Sequence, residues 1–326
     1  MTSSAWIIGG RGLLGKAISR RLEFDRRWRI LDAAPLPWFD EGSLLEAAEA
    51  EFTRLLSAAA DSGEGWAIFW AAGVVVTSSP QEQMDDELRV LDLLLAVFSR
   101  ALRDWTDAPA GAIFYASSAG GVYAGSENPP FDERSVPAPI SPYGHFKLDA
   151  ERRLANFSSA SGASIAIGRI SNLYGPGQSL TKMQGLISHI AKAQISPAPV
   201  SVYVPLDTLR DYLYVDDCAA LVVDTTFRTV EVARLGTPVV VIKNIISGQT
   251  VTISSLLGYF RTLAKGHPHV ILGSSAAASF QSLDLRLRSV VWPDIDRREL
   301  MPLPAGIRAT MTDILTGVQA GSARQP

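Results

Sequence analysis

Apolar residues recur along the chain in two rhythms. Residues 6–8 form a short apolar run that stops at glycines, as a buried parallel strand does, and 13–22 follow with helical spacing. A second brief strand over 29–31 ends at Asp32, 43–60 read as an Ala/Leu/Glu-rich helix, and 66–72 are another buried strand. A strongly apolar helix over 88–102 and a strand over 112–116 come next. Strands alternating with helices predict βαβ units, right-handed crossovers and a parallel sheet, an α/β doubly wound architecture. From about Tyr174, Pro and Gly become frequent, and apolar segments such as 199–204 and 238–242 are shorter and less regular. The expected organisation is a sheet domain over 1–173 and a smaller C-terminal lobe over 174–326, some of whose segments return to the sheet. There is no internal repeat, and the polar tail after Gly317 is expected to fray.

Composition narrows the function. With 326 residues, 47% of them hydrophobic, the chain can bury a sizeable core. A net charge of -3 with mixed signs gives no basic footprint for nucleic acid or an anionic membrane, so an anionic substrate needs a few placed cations. The single cysteine, Cys218, excludes an intrachain disulfide or a thiolate cluster. His267 and His269 are close in sequence but lack a ligand partner nearby and read as loop residues, so no metal is expected. The first residues lack a basic segment, and no run approaches a membrane span; a soluble, cytoplasmic chain is expected.

Chemistry begins at the first strand. Gly9, Gly12 and Gly15 are spaced G-x-x-G-x-x-G between a strand and a helix, where glycine lets the backbone turn tightly and approach a pyrophosphate favoured by the helix N-terminus. The same spacing also serves any tight strand-to-helix turn. Asp32 closes the second strand 17 residues after Gly15, near the spacing at which an acid meets the adenosine ribose hydroxyls of NAD. Arg11 pulls the other way, since a guanidinium in this turn can pair with a 2′-phosphate. NAD is expected, with NADP left open.

Tyr143 and Lys147 are i and i+4 on a helical stretch and share one face. A phenol with a pKa near ~10 is a poor base at neutral pH, and a neighbouring ammonium lowers that value. The block from Tyr115 to Tyr123, with Ser117 and Ser118, precedes this pair. Blocks from Arg169 to Gln178 and from Arg210 to Asp217 follow it. In this order, and with the glycine turn, they resemble the extended short-chain dehydrogenase/reductase family, in particular its nucleotide-sugar epimerases, dehydratases and reductases. The resemblance runs over residues 6–307.

The resemblance implies a Rossmann-type sheet with a smaller C-terminal substrate-binding lobe, a nucleotide-diphosphate sugar as substrate, and a homodimer. It implies Tyr143 as the acid/base and Lys147 as its partner, also bonding the nicotinamide ribose. A serine of the pair, Ser118 before Ser117, would bond the reacting oxygen. Gly9, Arg11, Gly12, Leu13, Leu14, Gly15, Asp32, Ala71 and Ala72 would line the dinucleotide. Asn172 would contact the substrate near its diphosphate, which Arg210 would clamp with a fork suited to phosphate oxygens. Asn172 also suits a turn cap, and Arg210 an ion pair with Asp211. Arg286 or Arg288 would offer a second phosphate contact.

Four departures sharpen this. Ala119 occupies the position where the family often carries its catalytic hydroxyl. Gly120 and Gly121 replace the acid pair that 4,6-dehydratases use, and decarboxylases also need an acid there. Only 40 residues separate Asp32 from Ala72, so the third strand is expected to be compressed to about 38–40, with Asp40 near adenine or a plain loop acid. Asp86-Glu87-Leu88 stands in place of the family's Asn-x-x-Gly-Thr pattern. Cys218 reads as a packing residue on an apolar helix. The leading expectation is a nucleotide-sugar 4-epimerase using bound NAD and a 4-keto intermediate. The alternative is an NAD(P)H-dependent ketoreductase of a nucleotide-linked 4-ketosugar, and the third a non-catalytic dinucleotide-sensing protein, which would be expected to lose Tyr143 or Lys147.

Overall fold

A computed structural model describes residues 2–105, 107–180, 185–196, 199–264, 269–273 and 282–322. His267 lies outside the described residues. In chain order, β1 (Ser3–Ile8), α1 (Leu13–Glu23), β2 (Trp28–Ile30), α2 (Glu41–Ser62), β3 (Trp66–Trp70), α3 (Gln81–Asp104) and β4 (Gly111–Ser118) alternate as the apolar pattern predicts. A short α4 (Ala119–Val122), α5 (Pro142–Ser161), β5 (Ser164–Ile170), β6 (Asn172–Tyr174), α6 (Leu186–Ala193), β7 (Val200–Val202) and β8 (Leu209–Tyr214) follow. The chain continues through α7 (Val215–Ala233), β9 (Val240–Ile245), β10 (Thr250–Thr252), α8 (Ile253–Ala264), β11 (Val270–Leu272) and α9 (Leu303–Ser322).

Six strands form one all-parallel sheet in the order β2-β1-β3-β4-β5-β9. Alternating side chains of each strand feed two cores. Trp6, Ile8, Trp66, Ile68, Ile113 and Ile165 face α2, α3 and α5 through Phe52, Phe98 and Leu154. Ala5, Ala67, Phe69, Ala112 and Phe114 face α1 and α7 through Ile18, Leu22, Leu221 and Val222. Cys218 is fully buried in that second core, and burial pushes its thiol far up. β8 pairs with β6 and β10 in a three-stranded sheet, and β7 with β11 in a two-stranded one. Among the described residues no helix is long and apolar enough to cross a membrane.

Two expectations are corrected. Residues 38–40 form no strand, so β2 is the edge of the sheet. Asp40 instead caps α2, its carboxylate accepting from the Ser43 amide at 2.8 Å, because a free helix N-terminus takes a short acidic side chain readily. The segment after Gly317 does not fray at once: α9 runs on to Ser322.

The sheet reverses direction between β1 and β3, since β2 lies on one side of β1 and β3 and β4 on the other. Open α/β sheets bind ligands outside the carboxyl ends of the strands at such a reversal. Phe52 packs at the centre of the core below, 5.2 Å from Trp66 and 4.6 Å from Phe98 between ring centroids. Phe52→Ala is expected to cost about 3–5 kcal/mol, read as a lower midpoint of chemical unfolding.

Candidate active site at the carboxyl edge of the sheet

The glycine turn lies at the end of β1 and touches the end of β3. Gly9 has φ +92, and a Cβ there would stand 2.4 Å from the Ala72 amide nitrogen. A Cβ on Gly15 would meet the Gly9 carbonyl oxygen at 2.2 Å. Both positions therefore demand glycine for space. Gly12 is different: its nearest neighbour would be 3.4 Å away, and it caps α1 without any side-chain bond. The first amides of α1 thus face open space beside Leu13 and Leu14, a cradle that fits a pyrophosphate. Ala71 and Ala72 form the opposite wall.

Asp32 is exposed at the end of β2, and Arg11 is exposed in the turn. In place of an outer strand, α2 holds the loop after Asp32. Arg54 donates to the Asp32 carbonyl at 3.2 Å, and the Glu51 carboxylate accepts from the Ala34 amide at 3.2 Å.

Tyr143 and Lys147 enter from α5, whose start is fixed locally. Ser141 caps the helix by accepting from the Gly144 amide at 3.0 Å, and Pro142 occupies its first turn. Both side chains are 8% exposed, buried enough for desolvation to dominate their chemistry. Burial pushes the Tyr143 phenol up to about 12, the Ser118 hydroxyl pulls it down by hydrogen bonding, and the Glu87 charge raises it. Burial lowers the Lys147 ammonium, while Glu87 and Glu151 raise it. Lys147 Nζ donates to the Tyr115 hydroxyl at 3.3 Å and to the Ala116 carbonyl at 3.1 Å, and lies 5.9 Å from the Tyr143 ring centroid. The ammonium thus lies over the Tyr143 ring and gives its hydrogen bonds to Tyr115 and Ala116.

The two serines part company. Ser118 turns toward Tyr143 and also caps α4, accepting from the Gly121 amide at 3.2 Å. Ser117 points to the other face, where its hydroxyl donates to Glu151 Oε1 at 2.5 Å. Glu151 is in turn ion-paired with Arg169 at 2.7 Å, and both side chains are almost fully buried. Arg169 also donates to the Tyr123 hydroxyl at 2.7 Å. Gly121 lies against the Tyr143 ring: a Cβ there would come within 3.2 Å of it. Glycine at this position thus eases the packing of Tyr143.

Beyond the sheet, β6 and β8 pair in register, with Asn172 opposite Tyr212. Exposed Asn172 donates to the Asp211 carbonyl at 2.8 Å. Asp211 is fully buried and bonds the Ser247 amide and hydroxyl, at 3.0 and 2.9 Å, rather than Arg210. Arg210 is largely buried, donates to the Leu209 carbonyl at 2.9 Å and has its guanidinium pushed down by desolvation. Arg286 and Arg288 each hold a carboxylate, Asp284 at 2.8 Å and Asp132 at 2.5 Å. Among the described residues no three His, Cys, Asp or Glu side chains gather as a metal site requires.

Three participants escaped the sequence reading: Tyr115, the Glu151–Arg169 pair and Glu87. Their only signal was position, since Tyr115 and Arg169 lie inside the motif blocks, Glu151 four residues past Lys147, and Glu87 where the Asn-x-x-Gly-Thr pattern is missing.

A profile of the NAD dependent epimerase/dehydratase family matches residues 5–226. The chain belongs to this family. It is 34% identical over 104 residues to dTDP-L-rhamnose 4-epimerase from Burkholderia thailandensis, a match covering 32% of this chain and 29% of that protein. It is 35% identical over 106 residues to dTDP-4-dehydro-6-deoxyglucose reductase from Escherichia coli, covering 32% and 33%. The match thus spans about a third of the length of these relatives. The fold is shared throughout with UDP-glucose 4-epimerase from Thermotoga maritima, solved with UDP-glucose: TM-score 0.74, 17% identity, 97% of this chain and 99% of that one.

Ser118→Ala removes the bond that lowers the Tyr143 phenol, so its pKa rises. Turnover that needs the phenolate is expected to fall about 10²-fold or more near neutral pH, with the acidic limb of the pH profile moved upward. Ser117→Ala is expected to leave that limb in place and lower stability by about 1–2 kcal/mol. A pH–rate profile of each variant, with chemical unfolding, reads both outcomes.

Proposed function

We propose that the protein is a nucleotide-sugar 4-epimerase working with a retained NAD through a 4-keto intermediate. The observation that carries this reading is the buried pair of Tyr143 and Lys147 on one face of α5, with Gly121 against the Tyr143 ring. A bound NAD supplies a hydride acceptor, and afterwards a hydride donor, for sugar C4. Tyr143 Oη takes the proton of the C4 hydroxyl as the ketone forms and returns it as the ketone is reduced. Ser118 bonds the same oxygen, and the Lys147 charge offsets that of the phenolate. Gly120 and Gly121 hold no acid to expel a hydroxyl, which disfavours dehydration and decarboxylation.

The glycine turn, Leu13, Leu14, Ala71, Ala72, Asp32 and Lys147 hold the dinucleotide in this reading, and Asn172 with Arg210 hold the diphosphate from the lobe beyond residue 173. As the resemblance implies, we also infer a cytoplasmic homodimer. Exposed Arg11 and the similarity to the Escherichia coli reductase favour a second reading, an NADPH-dependent ketoreductase of a nucleotide-linked 4-ketosugar using the same Tyr143.

Mass spectrometry of nucleotide released from the purified protein, with a screen of UDP- and dTDP-hexoses, separates the two. NAD and interconversion of C4 epimers without added cofactor are expected. NADPH consumption with a 4-ketosugar and no epimerisation would overturn the leading reading. Tyr143→Phe is expected to lower either activity about 10²–10⁴-fold with little change in fold by circular dichroism.

A further inference from the structure

The Lys147 ammonium sits in a cage of rings and oxygens. Tyr115, from β4, is buried in the core that α5 covers, and its hydroxyl accepts from Lys147 Nζ at 3.3 Å. The carbonyl of the next strand residue, Ala116, accepts from the same nitrogen at 3.1 Å. The ring centroids of Tyr115, Phe146 and Tyr143 lie 5.0, 5.2 and 5.9 Å from it, each within reach of a cation–π attraction. An ammonium has three donors and no acceptor. Among the described residues two of them are engaged, both by adjacent residues of β4, and no third acceptor is met.

A buried ammonium keeps its proton where oxygens replace the water it has lost. Burial lowers the Lys147 ammonium, and the charges of Glu87 on α3 and Glu151 on α5 raise it, the latter shared with Arg169 of β5. Among the described residues neither acid bonds Nζ, whose direct partners are Tyr115 and Ala116. Tyr115 suits that task because it stays a phenol. Burial pushes it far up, and the charges of Glu87, Tyr143 and Glu151 push the same way. It therefore offers a lone pair without competing with Tyr143 as a base.

We propose that Tyr115 is the positioning residue of the catalytic lysine: its hydroxyl and ring anchor the Lys147 ammonium to β4, so that the third donor is left for the reacting groups. The inference rests on the Tyr143–Lys147 reading above and deepens it. In that reading Tyr115 acts through Lys147 and touches neither sugar nor dinucleotide. The bond runs from a helix to a strand, so the ammonium is placed relative to β4, the strand that also carries Ser118.

The test is an NMR pH titration of the nucleotide-free full chain carrying 15N-lysine, with the Lys147 signal assigned by its loss in Lys147→Arg. Tyr115→Phe keeps the ring and removes the oxygen. Its Lys147 ammonium is expected to lose its proton at a lower pH than in the unaltered protein, because the charged form has lost an acceptor. Turnover is expected to follow, within about threefold of the unaltered protein near pH 7 and about tenfold lower near pH 9, with the sugar KM within about twofold. Tyr115→Leu, which removes the ring as well, is expected to move the titration further the same way. A Lys147 titration in Tyr115→Phe that matches the unaltered protein, or a pH–rate profile of unchanged shape, would overturn the inference even if stability falls. A wild-type chain that converts no nucleotide sugar would instead overturn the epimerase reading, and the NMR titration would still decide the role of Tyr115.

Discussion

The buried pair of Glu151 and Arg169 holds the elements of the candidate site together. Glu151 belongs to α5, the helix that carries Tyr143 and Lys147, while Arg169 belongs to β5 and Ser117, also bonded to Glu151, to β4. Tyr123, just past α4, joins through its hydroxyl. Three elements are thereby locked at one point, and the next residue along β4 is Ser118. A carboxylate and a guanidinium removed from water persist only if their remaining bonding capacity is met, and here serine and tyrosine meet it. The gain is geometric: α5, β4 and β5 are held in register by bonds made on the face of the sheet that α5 covers.

The same arrangement explains the division of labour between adjacent serines. Successive residues of a strand point to opposite sides, so the two neighbouring hydroxyls part. Ser117 goes to the buried pair and Ser118 to the crevice. Gly121 lies against the Tyr143 ring, where a Cβ would make a tight contact of 3.2 Å. A position that in dehydratases would carry an acid is here committed to packing against the phenol, and specificity and packing become one constraint.

Much of the sheet was legible because buried parallel strands leave unmistakable apolar runs: the run 66–72 contains β3, the run 112–116 lies within β4, and the glycine turn follows β1. The edge was not. Residues 38–40 carry aromatic residues that suit a strand, yet Trp38 packs against the core without one, Phe39 is exposed, and Asp40 caps α2. In the site, the i,i+4 spacing correctly placed Tyr143 and Lys147 on one helix, but spacing says nothing of which oxygen the lysine bonds, and Tyr115 takes that role. Arg169 lies inside a motif block and Glu87 at a departure from the family's pattern, while Glu151 carries no signal of its own in the sequence. Burial and partners gave them meaning, and both are properties of the folded chain.

The central claim is that one buried tyrosine lets hydrogen leave sugar C4 and return to its other face without exchange with an external cofactor. A nucleotide hexose deuterated at C4, incubated with the protein and no added dinucleotide, tests it directly by mass spectrometry and NMR. The account predicts the C4 epimer with deuterium still at C4. Recovery of unchanged sugar, or transfer of the deuterium to an added oxidised dinucleotide with a free 4-ketosugar as product, would contradict it.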